Sequence, residues 1–206
     1  MPNWATNNIK IYSPYLSEIK DFVQENDRVF SFNKIIPMPA CLDVGSVPSD
    51  HTIMANVKEW MCKNDIEPTG KIKELLSVVD KTYSYYVSEQ MQERSYKFYK
   101  AMTETGYWSW YDWRIEYWGT KWNACDAELI EENEDYLYYR FETAWTLPVP
   151  IFEALTKKFK DTTIKVNTII EYCSGYKATF KDGQCIIDEV IPPDDLLELS
   201  NRNSIK

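Results

Sequence analysis

Side chains that could do chemistry are sparse and scattered in this sequence. His51 is the only histidine, so a catalytic triad or a metal site that needs several imidazoles is excluded. Paired carboxylates occur in "EENED" (131–135) and "PPDD" (192–195), but a hydrolase needs two acids held in one cleft with separated pKa values. Acidic runs in turns are normally solvated, and nothing in the pattern fixes the ligand geometry of a Mg²⁺ site. We therefore predict no catalytic residue, no metal site and no cofactor.

Glycine and cysteine usage narrows the classes of function further. Only 6 glycines are present, and neither the G-x-G-x-x-G nor the G-x-x-x-x-G-K-[ST] pattern of phosphate-binding loops occurs. The 5 cysteines are irregularly spaced without a C-x-x-C pair, which is typical of reduced thiols in an intracellular protein. The N-terminal "MPNWATNNIKIY" has no basic start and no apolar run, so no signal peptide is predicted. No window approaches about 18 apolar residues, so no membrane-spanning helix is predicted.

Acidic residues dominate the charge of the chain and concentrate in one segment. The formal net charge is -9, which argues against direct nucleic-acid binding and fits an acidic surface that meets a basic partner. The plain alternative is that the charge keeps the protein soluble. The segment "DAELIEENED" (126–135) holds six acids and no base. These six acids are candidate partner-binding residues: Asp126, Glu128, Glu131, Glu132, Glu134 and Asp135.

Aromatic residues are frequent, with 15 Tyr, 8 Trp and 8 Phe, and they concentrate near residue 113. The run Trp108, Trp110, Tyr111 and Trp113 lacks clean alternation, so we consider an exposed patch for partner binding beside a packed cluster. In the following stretch "WRIEYWGTKWNACD", we predict that Gly119 makes a turn and that Trp122 starts a strand. A structural aromatic cluster is predicted from Trp4, Trp118, Trp122 and Trp145.

The spacing of apolar residues changes twice along the chain. Alternation predicts strands in 4–13, 121–130, 136–145, 162–172 and 175–191, the last being a hairpin around "DG". A phase change near Cys125 predicts a β-bulge, and two prolines in "FSFNKIIPMP" (30–39) predict an extended segment. Helical spacing is predicted for 13–26, 148–159 and an insertion at 51–105, followed at the C-terminus by a tail with a short helix from Asp194.

The order of these elements predicts the fold. Without the insertion it is β-α-β-β-α-β followed by an extra C-terminal hairpin, which is the split β-α-β arrangement. We therefore predict an α+β, ferredoxin-like antiparallel sheet, with residues 1–206 as one domain and 51–105 as a helical insertion.

Four motifs occur in a fixed order: "MPNWATN", "FSFNKIIPMP", "WRIEYWGTKWNACD" and "FETAWTLPVPIFEAL". Together they resemble the YubB-type family of phage and plasmid proteins with a ferredoxin-like domain. The resemblance covers the first fifty residues and roughly 110 onward, and it brings no catalytic residues with it. It implies an accessory protein of a mobile element in the cytoplasm of a bacterial host.

Two functions follow as expectations. The first is a non-enzymatic protein that binds and inhibits a host or competitor protein with a basic surface, such as a CRISPR or restriction complex. The alternative is a nucleic-acid-binding accessory protein that uses the open sheet face, where Tyr136, Tyr138 and Arg140 are predicted to point outward. The sequence leaves the partner's identity and the oligomeric state open.

Overall fold

The computed structural model describes residues 3–79, 89–171 and 174–191. Its elements, in chain order, are β1 (Trp4–Tyr12), α1 (Leu16–Val23), α2 (Phe32–Ile35), a 3₁₀ turn (Ala40–Leu42), α3 (Asp50–Lys63), α4 (Gly70–Ser77), α5 (Glu89–Thr105), α6 (Trp110–Trp118), β2 (Cys125–Glu132), β3 (Leu137–Ala144), α7 (Val149–Lys158), β4 (Thr163–Ile170), β5 (Ser174–Lys181) and β6 (Gln184–Ile191). The predicted C-terminal helix from Asp194 lies outside the described residues.

The chain divides into two compact units. Residues 1–37 and 114–206 form one, here called the sheet unit, and residues 38–113 form the other, the helical unit. The predicted insertion, 51–105, lies within the helical unit. The boundary between the units falls inside α6.

The sheet unit contains a six-stranded sheet in the order β2-β3-β1-β4-β5-β6, with every neighbouring pair antiparallel. Strand β1 lies between β3 and β4, and β2 pairs with β3, which is the split β-α-β order. Strands β5 and β6 extend the sheet as the predicted hairpin, turning at Asp182 and Gly183. The predicted ferredoxin-like α+β fold is confirmed.

Alternation along the strands produces the core of this unit. Every second residue of β1 is buried, and Ile9 lies opposite Tyr139 on one side and Val166 on the other. The rings of Phe30 and Phe152 pack against this face, within 5.1 Å of Tyr139 and of Phe180 respectively. The opposite face of the sheet, called here the open face, carries the polar side chains of the same strands.

A buried polar group interrupts the apolar core at the centre of the sheet. Asn7 is 0% exposed and donates through Nδ2 to Oγ1 of Thr143 at 2.8 Å on β3. Its Oδ1 accepts from Oγ1 of Thr168 at 2.8 Å on β4. The amide therefore links the three central strands, and each hydrogen bond is possible at one strand register only.

The helical unit begins α3 with a defined cap. Oγ of Ser49 accepts from the backbone N–H of Thr52, and Asp50 is the first residue of the helix. Nζ of Lys58 donates to the carbonyls of Leu76 and Val79 at the end of α4, at 3.2 and 3.1 Å. Within the segment 51–105 predicted to be helical, residues 51–63, 70–77 and 89–105 form helices. No helix in 3–79, 89–171 or 174–191 is long and apolar enough to cross a membrane.

Two local predictions are wrong. Phe32–Ile35 forms a helical turn within the segment predicted as extended, ending before Pro37 because a residue preceding proline disfavours helical geometry. The strand predicted to start at Trp122 begins at Cys125 instead, and the tryptophan-rich residues before it, Trp110–Trp118, form a helix. Gly119 does turn the chain, with φ of 76°, but it does so at the end of this helix.

The predicted bulge in β2 is confirmed. The pairing of β2 with β3 shifts between Cys125 and Glu128, where Asp126 has φ of 47°. A second shift between Leu129 and Glu131, not predicted, leaves Ile130 without an opposite residue. The edge strand is therefore interrupted twice, which limits the regular pairing of another strand along it.

Tyr139 offers a direct test of core energetics. Its hydroxyl is buried without a hydrogen-bond partner, and burial, reinforced by the charges of Glu132 and Asp21, raises its pKa. We expect Tyr139→Phe to raise the free energy of unfolding by about 1 kcal/mol, because it removes an unpaired polar group. Urea unfolding of both variants measures this. Tyr138→Phe, which removes a hydrogen bond to Asn8, should lower stability; equal effects would contradict the assignment.

Candidate functional site

The acidic hairpin, residues 126–135, is shaped by the turn between β2 and β3. Asn133 organises this turn: its Oδ1 accepts from the backbone N–H groups of Asp135 at 2.9 Å and Tyr136 at 3.0 Å. Its Nδ2 donates to Oε1 of Glu131 at 2.9 Å. The turn is therefore held by local hydrogen bonds, one of which engages the carboxylate of Glu131.

The structure brings the six acidic candidates together on this hairpin. All six are exposed: Asp126, Glu128, Glu131, Glu132, Glu134 and Asp135. Within the described part of the chain, only Glu132 forms an ion pair among them, accepting from Nζ of Lys20 at 2.6 Å. Exposed pairs of this kind contribute little to stability. The hairpin thus presents a largely uncompensated negative surface.

An apolar residue stands within this acidic surface. Ile130 is 46% exposed because the second bulge leaves it outside the pairing of β2 with β3. Sequence reasoning missed it, since alternation alone does not reveal the second bulge. An exposed apolar side chain flanked in sequence by exposed acids is a candidate interface anchor with a charged rim.

The aromatic candidates do not form the exposed run that was considered. Trp108 and Trp113 are buried at 5% exposure each, so neither is an accessible anchor. Trp110 and Tyr111 are half-buried with ring centroids 5.8 Å apart, and Nε1 of Trp110 donates to the carbonyl of Gly45 at 2.8 Å. These four residues belong to the helical unit, whereas the six acids belong to the sheet unit.

The predicted structural tryptophan cluster forms only in part. Trp4 and Trp122 have ring centroids 5.5 Å apart, and Nζ of Lys121 lies 4.1 Å from the Trp122 ring and 4.4 Å from the Trp145 ring. Trp118 packs elsewhere: it is buried against Phe32, and its Nε1 donates to the carbonyl of Ile36 at 2.9 Å.

The open face of the sheet carries cations and tyrosines on its central strands. Tyr138 and Arg140 on β3 face away from the core as predicted, and Tyr136 precedes them. Nζ of Lys10 on β1 lies 4.2 Å from the Tyr136 ring centroid and 5.4 Å from that of Tyr138. Slight burial lowers the pKa of Lys10, but the hydrogen bond to Tyr136 and the electrostatic influence of Tyr136, Tyr12 and Glu131 more than offset this and raise the pKa, so the ammonium stays charged.

A shallow depression of about 350 Å³ lies on this open face. It is lined by polar side chains of β1, β3, β4 and β5, chiefly Asn8, Lys10, Tyr138, Lys165, Asn167 and Lys177. Oδ1 of Asn167 is buried there without a hydrogen-bond partner. The sequence contained these residues, but only strand order shows that they converge.

Among the described residues, no group of three or more His, Cys, Asp and Glu side chains has the arrangement of a metal site. Burial raises the pKa of the Cys41 and Cys125 thiols, which disfavours the reactive thiolate form at both positions.

A match to a family model supports the fold. Residues 117–201 match the family model described as the ferredoxin-like domain in Api92-like protein. No curated protein matches the chain. A crystal structure of the protein api92 from Yersinia pseudotuberculosis is similar at 9% identity and a TM-score of 0.46, covering 93% of this chain and 98% of the other. The matched segment contains β2 to β6 and α7, so a ferredoxin-like family is supported independently of the sheet order.

Proposed function

We propose that this protein is a non-enzymatic accessory protein of a phage or plasmid, of the YubB type, that binds and inhibits a host or competitor protein. One observation carries the binding mode: the acidic hairpin displays six exposed acids together with the exposed side chain of Ile130. The mobile-element origin is supported by the four sequence motifs and their order. The place of action on this proposal is the bacterial cytoplasm.

The chemistry of the hairpin favours a partner with a basic surface. Carboxylates without compensating cations attract a basic surface and accelerate encounter with it, while an apolar side chain at the centre of a contact prolongs the complex. Basic grooves are common in proteins that bind nucleic-acid phosphates. A complex of the CRISPR or restriction type, whose groove would accept the hairpin in place of phosphates, is therefore the proposed class of target.

The first experiment is a pull-down from host lysate with nuclease treatment, followed by association kinetics with the captured partner. Replacing Glu131, Glu132 and Glu134 by Gln is expected to slow association about tenfold at low salt and much less at high salt, because steering is screened. The matched control replaces the exposed Glu67, Glu74 and Glu116 by Gln, which changes net charge equally away from the hairpin. Equal slowing by both sets would place the interface elsewhere.

A second variant tests the anchor. Ile130→Ser is expected to speed dissociation about tenfold while leaving association nearly unchanged, since packing acts mainly on the lifetime of a complex. Ile186 on β6, at the opposite edge of the sheet, is 57% exposed and provides the control Ile186→Ser. Unchanged dissociation of the Ile130 variant, in folded protein, contradicts the proposed contact.

A further inference from the structure

We infer that the open face of the sheet is a second binding site, distinct from the acidic hairpin, and that its ligand is a single-stranded nucleic acid segment. The site is centred on the depression between β1, β4 and β5. Its cations, aromatic rings and amides correspond to the three groups of a nucleotide strand that a protein contacts: phosphates, base faces and base edges.

The cations form a positive strip on a chain that is negative overall. Lys10 on β1 lies directly opposite Lys165 on β4, and Arg140 extends the strip on β3. Lys177 on β5 is partly neutralised by Glu189, which accepts from its Nζ at 2.6 Å. Lys10 and Lys165 are therefore the leading phosphate contacts, because neither has a carboxylate within salt-bridge distance among the described residues.

The tyrosines lie beside these cations. Nζ of Lys10 lies close to the rings of Tyr136 and Tyr138, as described above. Nζ of Lys165 lies 5.6 Å from the ring centroid of Tyr12. A lysine over an aromatic ring is held by an attraction worth about 0.5–1 kcal/mol at exposed sites, which a phosphate can outcompete. Once the lysines turn to phosphates, the rings are free to stack on bases, a contact worth about 1–3 kcal/mol per base.

The amides supply the independent indication of a ligand. Asn8 and Asn167 face each other across β1 and β4, and Asn8 already accepts from the hydroxyl of Tyr138 at 2.9 Å. Oδ1 of Asn167 has no such partner, and an unpaired buried acceptor costs about 1–3 kcal/mol. A base amino group entering the depression beneath the lysine side chains would satisfy it. Amides are well suited to base edges because they both donate and accept.

The edges of the face select a single strand over a duplex. Glu131 lies opposite Tyr138 and Glu128 opposite Arg140 on β2, while Glu189 borders the far side on β6. These acids confine the positive strip to the strands between them, so a duplex with two lines of phosphates would meet like charge. Stacked and paired bases would also hide the faces and edges that the tyrosines and amides contact.

Fluorescence anisotropy with 12-residue homopolymers (rU, rA, dT and dA) tests the site. We expect micromolar binding at 50 mM salt that weakens about twentyfold by 200 mM, because roughly three phosphate contacts give a log–log slope near -2 for single strands. Comparing the RNA with the DNA homopolymers shows whether the site prefers ribose or deoxyribose. The inference would be overturned if none of the four homopolymers bound at 50 mM salt, or if duplex competed as well as a single strand.

Two variants link any binding to the named residues. Lys10→Gln with Lys165→Gln should weaken binding at least tenfold at 50 mM salt and flatten the slope by about 1.4. Lys63→Gln with Lys97→Gln, at exposed positions of the helical unit, is the matched control, and equal losses would overturn the site. Asn167→Ala should reduce the differences in affinity between the four homopolymers without altering the salt dependence of binding. Unchanged differences would show that the Asn167 amide does not contact the bases. The acidic-hairpin variant should bind oligonucleotides at least as well as the wild type, which separates this site from the proposed interface.

Discussion

Replacing Phe141 by alanine is expected to lower the free energy of unfolding of the sheet unit by about 3–5 kcal/mol. Phe141 is fully buried on β3, and its ring centroid lies 5.2 Å from that of Phe30, 5.7 Å from Phe32 and 6.3 Å from Phe152. The substitution therefore removes the ring that joins the sheet to α2, α7 and the segment before α2. The surrounding side chains can fill the cavity left by the ring only in part, so the protein loses stability.

Amide hydrogen exchange in β1 and β3, combined with urea unfolding, measures this loss in the sheet unit specifically. A two-unit chain need not unfold in one transition, so the residue-level readout is required. Arg140→Ala, one position earlier and exposed, is the control and should change stability by less than about 0.5 kcal/mol. Similar protection in the two variants would contradict the position of Phe141 at the centre of the core.

Replacing Asn7 by alanine is expected to lower the free energy of unfolding by about 2–4 kcal/mol. The change leaves the Thr168 hydroxyl without its acceptor and opens a cavity in the middle of the sheet. Thr143 keeps its contact with the carbonyl of Thr146 at 2.7 Å, so the loss falls mainly on the pairing of β1 with β4. Thr6→Ala, on the open face of the same strand, is the control.

A triple variant separates stability from register. Asn7→Val with Thr143→Val and Thr168→Val replaces the whole polar group by apolar side chains, which can be nearly neutral in stability. In this variant only the apolar pattern sets the strand register, and a slip of one residue would move the open-face side chains to the other face of the sheet. We therefore expect a stability near that of the wild type but weaker oligonucleotide binding, because part of the molecules would no longer present Lys10 and Lys165 together. A triple variant as unstable as Asn7→Ala would show that the hydrogen bonds act on stability alone.

The fold was predictable mainly because apolar and polar residues alternate along the strands. Buried and outward residues alternate along the whole of β1 and along β3 as far as Thr143, so both strands and the orientation of Tyr138 and Arg140 were predictable. The helix α6 was not, because its rings lie on all sides of the helix and leave no apolar stripe. In this helix Trp113 and Trp118 are buried, whereas Ile115 and Tyr117 are exposed. Hydrophobicity alone therefore does not tell the buried side of the helix from the exposed side.

The candidate sites divide in the same way. The acids of the hairpin could be recognised because six carboxylates without a base are solvated wherever the chain places them. Ile130 could not, since its exposure results from a bulge that only the register reveals. The open-face site could not be assembled either, because Lys10, Tyr138 and Lys165 meet only through pairing between distant segments.

The central position of β1 has a consequence for the protein during its synthesis. Trp4 pairs with Ala144, which is 140 residues later (144 minus 4), so at about 5–20 residues per second β1 waits roughly 7–28 s for its neighbours. Residues 38–113, which form a unit of their own, are made within that interval. A strand with two unpaired edges is an aggregation hazard, and charged or polar residues reduce it. We therefore expect Asn7, Asn8 and Lys10 to lower the aggregation hazard of β1 in the nascent chain, before the sheet has formed.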